Sequence, residues 1–349
     1  MIENLIRPNI RNMKPYSSAR DEFEGEASVW LDANESPEVL PGIAAGMNRY
    51  PQPLQPELKE KISRIKVAAP NHIFIGNGSD EAVDLLFRIF CIPGKDKTLV
   101  FPPTYGMYGV CAAVNDAQVT ESLLDEAFGI NLPDFDEKNK DNPKLTFICN
   151  PNNPSGNVQS PETIRRIIEA SKGIVVVDEA YVDFCPEQSV LPWIEKYPNL
   201  VVLQTLSKAW GLAGARIGLA FASPEIIRVM NRVKFPYNIG KPSIEMASKA
   251  LDREKEMKER VGEIISQRSL LINSLSGFTF VKKVFPSAAN FLLVKFRESE
   301  KIYRYLAAKG IIVRDRSTQP GCEGCLRITI GTKTENQTLL EALKELENN

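Results

Sequence analysis

A lysine just past a strand, hemmed by small and aromatic residues, is poorly solvated, which lowers its pKa and makes it a nucleophile and base. Lys208 sits in such a stretch, Thr205-Leu206-Ser207-Lys208-Ala209-Trp210-Gly211-Leu212-Ala213-Gly214-Ala215-Arg216-Ile217-Gly218. The alternative is an ordinary loop lysine. The small residues allow close backbone approach, and Arg216 could meet an anion near the same place. A second cluster, Asp178-Glu179-Ala180-Tyr181, ends the apolar run Ile174-Val175-Val176-Val177. A carboxylate at a buried strand end needs a cation, either an arginine or the protonated nitrogen of a pyridine ring. Tyr181 could reach a phenolic oxygen on that ring. Asn150-Pro151-Asn152-Asn153-Pro154-Ser155-Gly156 has the composition of a turn, yet Asn153 offers a donor at the same sheet edge. Gly76-Asn77-Gly78-Ser79-Asp80-Glu81 lies between a strand and a helix, where backbone N–H groups form an anion site suited to a phosphate. Gly-x-Gly alone is common in loops.

The single histidine, His72, excludes Ser-His-Asp and Cys-His triads and His-rich metal sites, and no metal is expected. Following Pro70-Asn71, it reads as a surface turn residue. Acid–base work then falls to a lysine, a carboxylate, a tyrosine or a bound cofactor. Six cysteines are scattered through apolar contexts, which fits reduced thiols and a cytoplasmic protein. Cys322 and Cys325 have redox or zinc spacing, but without a second CxxC or a nearby His the spacing reads as incidental. With 43 Lys and Arg against 44 Asp and Glu, no global attraction to nucleic acid or anionic membrane is expected. No apolar run approaches the roughly 18 residues of a membrane helix, so the chain is expected to be soluble.

The elements that must position these residues follow one pattern. Residues 1–56, rich in Pro, Asn and charge, read as an extended arm. From about residue 57, short β-branched runs alternate with amphipathic stretches, the pattern of a mainly parallel sheet flanked by helices. Leu145 to Cys149 reads as a buried strand. Ser160-Pro161-Glu162 reads as a helix start, with Ile164, Ile167 and Ile168 as its buried stripe and Gly173 ending it. Leu200 to Gln204 delivers Thr205, Ser207 and Lys208 as Ile174 to Val177 delivers Asp178. In open α/β sheets ligands bind beyond the carboxyl ends of strands. Ile244 to Leu275 reads as one long helix. The remainder reads as strand 290–295, helix 299–309, strand 311–314, strand 326–330 and a closing helix from Glu335. The division expected is an arm (1–56), a large domain (57–250), a connecting helix (251–275) and a small α+β domain (276–349).

In order, Gly-Ser-Asp-Glu, Pro103-Thr104-Tyr105, Asn-Pro-Asn-Asn-Pro-Ser-Gly, Asp-Glu-Ala-Tyr and Ser-Lys-x-x-Gly-Leu-Ala-Gly-x-Arg-x-Gly resemble the class I/II aminotransferases of pyridoxal-phosphate (PLP) fold type I, over nearly the whole chain. The resemblance implies a large domain with a seven-stranded, mainly parallel sheet. Pro15-Tyr16-Ser17-Ser18-Ala19-Arg20, Leu31-Asp32-Ala33-Asn34-Glu35, Asn48-Arg49-Tyr50-Pro51 and Cys325-Leu326-Arg327-Ile328-Thr329-Ile330-Gly331-Thr332 are similar to the branch that acts on histidinol phosphate. Asp32, Ser155 and Trp210 depart from the residues most frequent there.

The resemblance also implies roles. Lys208 would hold PLP as a Schiff base and shuttle the substrate proton. Asp178 would pair with the pyridinium nitrogen, Asn153 and Tyr181 would bond the ring oxygen, and Tyr105 would stack on the ring. Ser79, Asp80, Thr205, Ser207 and Arg216 would hold the cofactor phosphate. Tyr50 would reach the phosphate of a neighbouring subunit, which requires a homodimer. Arg327 would bind in turn the phosphate of histidinol phosphate and a carboxylate of 2-oxoglutarate or glutamate, with Arg314, Tyr16 and Asn34 adding contacts; Arg316 looks more expendable. An aromatic aminotransferase and a threonine-phosphate decarboxylase would share the cofactor residues. A non-catalytic PLP-binding regulator is a third alternative, although residues 1–56 lack a helix-turn-helix pattern.

Overall fold

In the computed structural model, residues 2–14 and 28–348 are described. The β-branched runs form a seven-stranded sheet of β1 (Ile73–Asn77), β2 (Lys97–Val100), β3 (Gln118–Glu121), β4 (Leu145–Cys149), β5 (Ile174–Asp178), β6 (Leu200–Thr205) and β7 (Ile217–Ala222). Their order is β1-β7-β6-β5-β4-β2-β3. Strands β4 to β7 are buried along their whole length, as expected where helices cover both faces. Only β7 runs against its neighbours. Arg216, which precedes β7, therefore lies at the same sheet edge as the residues that follow β1, β4, β5 and β6.

A second sheet, β10-β11-β9-β8, is antiparallel and built from β8 (Val281–Val284), β9 (Phe291–Phe296), β10 (Arg314–Asp315) and β11 (Cys325–Thr329). Its core includes Leu292, Val294, Leu326 and Ile328, packed with Ile302, Leu306, Leu339 and Leu343 from the helices Ser299–Ala308 and Lys333–Asn348. The helix Glu254–Leu275 joins the two cores: Val261 packs with the first, Leu271 and Leu275 with the second.

Ser160 caps the helix Pro161–Ala170, its Oγ accepting from Thr163 N at 3.1 Å, and Ile164, Ile167 and Ile168 are buried. Gly173 does not end that helix. A Cβ there would lie 2.3 Å from the Pro143 carbonyl oxygen, so glycine lets the chain pass close to the backbone beside it. The long helix over 244–275 is two helices, Lys241–Leu251 and Glu254–Leu275. Lys61 Nζ, from the helix Pro56–Lys66, holds the Asp252 carboxylate at 2.6 Å and the Ser248 carbonyl at 3.3 Å, tying off the first helix by a contact remote in sequence. Strand formation over 311–314 is confined to β10, and β8 is an addition to the expected order.

The start of the expected arm docks on the large domain. Ile2, Ile6 and Ile10 are buried with Phe74, Leu86 and Met230 in the core of the large sheet, and Arg7 N donates to Ile89 O at 2.9 Å. His72 is half-buried rather than a free turn residue: its Nδ1 lies 2.8 Å from Ala222 O, pinning the start of β1 to the end of β7. Among the described residues no helix is long and apolar enough to cross a membrane.

Candidate active site

At the carboxyl edge of the large sheet a cleft with about 490 Å³ of empty space collects Ser79, Asp80, Tyr105, Asn153, Asp178, Tyr181, Thr205, Ser207, Lys208 and Arg216. Ten residues named from sequence thus meet in one place.

One end of the cleft depends on two glycines. Gly78 has φ +77°, which glycine adopts without strain, and it leads into the helix Ser79–Phe90. A Cβ on Gly218 would lie 2.0 Å from Ser79 N, so any side chain there would push the helix N-terminus away. Arg216 is left-handed at φ +54°, held by the bond from Gly78 N to Arg216 O at 2.8 Å. Such a conformation costs about 1–2 kcal/mol for a residue with a Cβ. Its Nη2 lies 3.5 Å from Asp80 Oδ2, while Asp80 Oδ1 accepts from Tyr105 OH at 3.1 Å. Thr205 Oγ1 is 2.9 Å from Ser207 Oγ and 3.1 Å from the Ile217 carbonyl. Backbone amides at a helix N-terminus, two hydroxyls and a guanidinium are groups that could hold a phosphate.

Asp178 is buried, and burial pushes its carboxyl up to about 6 against the stabilising bonds it accepts. Oδ2 accepts from Tyr108 OH at 2.7 Å, and Oδ1 from Ala180 N at 3.1 Å. Among the described residues it forms no ion pair, so the arginine alternative is set aside. Lys208 is held below the usual lysine range, first by burial and then by Arg327. Its Nζ lies 5.6 Å from the Tyr181 ring centre. Asn153 Nδ2 donates to Tyr181 OH at 3.3 Å and Arg327 Nη1 donates to Asn153 Oδ1 at 2.5 Å, linking the cleft to β11. A buried acid without a cation, a lysine with reduced proton affinity and a phosphate cradle are the donor set that PLP needs, and the residues fit it.

Arg314 and Arg327 line an adjoining cleft with Tyr303 and Thr329. Asn34 and Tyr50 lie elsewhere, around a separate hollow with Arg49 and Lys241. Tyr50 stacks on Tyr237 with ring centres 4.4 Å apart. Tyr16 lies outside the described residues.

Sequence reasoning missed Tyr108, which stands in an apolar helix, Met107–Val114, and looks like core. Its ring does stack on Phe147 at 4.6 Å, but its hydroxyl is the strongest single support of the Asp178 carboxylate. The usable signal was the phenol itself, since a buried tyrosine must find a partner.

The family model for aminotransferase class I and II matches residues 24–343. The chain belongs to that family. A histidinol-phosphate aminotransferase of Parabacteroides distasonis is 49% identical over 345 residues, 99% of each chain. Among solved structures, the histidinol-phosphate aminotransferase from Clostridium acetobutylicum superposes with a TM-score of 0.80 at 27% identity, over 86% of this chain and 91% of the other. The histidinol-phosphate aminotransferase of Sinorhizobium meliloti, in complex with pyridoxal-5'-phosphate, shares the fold with a TM-score of 0.78 at 22% identity, over 85% and 84% of the two chains. The seven-stranded sheet and its flanking helices are those of PLP fold type I.

Proposed function

We propose that this aminotransferase binds PLP in the cleft below Asp178 and moves an amino group reversibly between L-histidinol phosphate and 2-oxoglutarate, giving imidazole-acetol phosphate and L-glutamate in histidine biosynthesis. The observation that carries the cofactor assignment is the buried Asp178 carboxylate, which among the described residues forms no ion pair and faces the same space as Lys208. The full-length similarity to histidinol-phosphate aminotransferases, together with the arginines of β10 and β11, supports the phosphorylated substrate.

When bound, PLP supplies the electron sink for the charge left on the substrate Cα. Asp178 would pair with the ring nitrogen and favour its protonated form. Tyr108 OH and Ala180 N hold the carboxylate in place for that pairing. Tyr181, oriented by Asn153, would donate to the ring oxygen, and Tyr105, tethered to Asp80, would cover the ring face. The N-terminus of the helix Ser79–Phe90, Thr205, Ser207 and Arg216 fix the cofactor phosphate. Lys208 Nζ would hold the cofactor and, freed from it when the substrate amine takes its place, would serve as the base that takes and returns the substrate Cα proton. Its lowered pKa leaves more of it neutral for both tasks. Arg327 receives the substrate phosphate and, in the second half-reaction, a carboxylate of 2-oxoglutarate, and Arg314 adds a contact to the phosphate.

The protein works as a homodimer in the cytoplasm. Tyr50, half-exposed and lining a hollow other than the cleft of its own chain, suits a role at the partner's cofactor phosphate. Tyr16 and Asn34 close the substrate end from the arm. The chain divides into an arm (1–56), a large domain (57–250), a connecting helix (251–275) and a small domain (276–349). The connecting helix has one end in each core, as a hinge element requires.

The test is spectroscopic. Purified protein should be yellow, and L-histidinol phosphate should bleach the visible cofactor band at concentrations where L-phenylalanine does not. Equal or reversed preference would refute the substrate and leave the family untouched.

A further inference from the structure

The strands β10 and β11 carry an electrostatic arrangement that a sheet does not tolerate without a reason. Arg314 and Arg327 are directly opposite in the antiparallel register, so their side chains share a face. Arg316 N donates to Cys325 O at 3.0 Å, which continues the ladder and puts Arg316 on that face as well. Asp315, the one acid of β10, alternates to the other face, and its Oδ1 accepts from Ser317 N at 2.8 Å. Like charges opposite one another destabilise a sheet. Among the described residues none of the three guanidiniums has a carboxylate within ion-pair distance, although ion pairs are common elsewhere on the surface.

Arg316 is the least compensated. It is half-buried, and its Nε is shielded from solvent without an acceptor. Burial, Arg327 and Arg314 all press against its charge, and the other groups near it are Tyr181 and Cys322. Neither of these supplies an anion, since burial pushes the Tyr181 phenol up and the Cys322 thiol up to about 12. An unpaired half-buried donor at this point has lost hydration without gaining a partner, and an anion brought by the substrate would restore the balance.

We infer that Arg316 is a specificity-determining residue, completing a three-arginine face with Arg314 and Arg327 that selects a doubly charged phosphate over a singly charged carboxylate. The inference rests on the substrate proposed above. One arginine suffices for a carboxylate, as Arg327 is placed to show. A phosphate dianion has three terminal oxygens and twice the charge, and three guanidiniums match it.

The experiment compares Arg316→Gln and Arg316→Lys with the parent enzyme, using L-histidinol phosphate and L-glutamate as alternative amino donors and inorganic phosphate as inhibitor. The Gln variant should lose about tenfold or more in kcat/KM for L-histidinol phosphate, mainly through KM, with less than about threefold change for L-glutamate. Its inhibition constant for inorganic phosphate should rise in parallel, and Lys should recover part of both losses. In the parent, kcat/KM for L-histidinol phosphate should fall as the pH drops through the second phosphate ionisation, near about 6, and the Gln variant should flatten that fall. Equal losses for both donors, or no loss for either, would overturn the inference. If the parent does not use L-histidinol phosphate, the proposed function fails, and inorganic phosphate still decides on Arg316: equal inhibition of parent and Gln variant in glutamate turnover would overturn it, and weaker inhibition of the variant would support it.

Discussion

In the cleft at the carboxyl edge of the large sheet most polar side chains are held by protein partners, whereas on the shared face of β10 and β11 the three guanidiniums have, among the described residues, no carboxylate within ion-pair distance. Asp178 has Tyr108 and Ala180, Arg216 has Asp80, Asp80 has Tyr105, and Thr205 has Ser207. Of the three guanidiniums, among the described residues, that of Arg327 alone has a side-chain hydrogen bond, to the neutral oxygen of Asn153, and it also lies over the Phe291 ring. The contrast follows from residence. A cofactor that stays bound through every cycle needs a rigid cradle set in advance, so its donors are held by other protein groups. A substrate that comes and goes must provide binding energy at each visit, and groups left without partners supply it.

Asp178 keeps its two hydrogen bonds but, among the described residues, forms no ion pair, and its replacement should have the largest effect. Asp178→Asn should lower turnover on the order of 10²–10³-fold, as removal of a preorganised electrostatic partner does. The cofactor-free protein should respond in the opposite sense. With the carboxyl raised from 3.8 to about 6, the folded chain between those values holds a proton that the unfolded chain has lost. Stability therefore falls as pH rises through that window and stays reduced above it, by about 3 kcal/mol. The Asn variant has no charge to bury, so without cofactor it should melt a few degrees higher than the parent at pH 8 and at the same temperature near pH 4. A lower melting temperature at pH 8 would mean that the carboxylate is already satisfied by the protein.

A smaller effect is expected at Tyr108. Tyr108→Phe keeps the stacking on Phe147 but removes a bond to a buried charge, which costs about 1.5–3 kcal/mol where Asp178 is ionised. The loss should appear at pH 8 and shrink below about 5, while turnover falls less than about tenfold. A pH-independent loss would place the residue with the core rather than with the cradle.

The cradle was legible in the sequence because it is built from strand ends. Short apolar runs delivered Asp178, Thr205 and Lys208 to one edge, and the glycines around Ser79 and Arg216 marked where backbone had to approach backbone. What escaped depends on contacts remote in the chain. No proline or glycine announces the break after Leu251, which Lys61 makes from another helix. The docking of Ile2, Ile6 and Ile10 was hidden because they sit on no common helix: Ile2 lies in the 3-10 turn Ile2–Asn4, Ile10 in the short helix Pro8–Arg11, and Ile6 between them. Arg316 looked expendable because alternation along β10 and the register with β11 are needed to see that it shares a face with Arg314 and Arg327.

The central claim is that the substrate end is built for a phosphate dianion. It is tested most directly by the kcat/KM for L-histidinol phosphate against that for unphosphorylated L-histidinol under identical conditions. The arginine face predicts a preference of at least about 100-fold for the phosphorylated donor, from two or more charge-assisted contacts. Equal values for the two donors would contradict it.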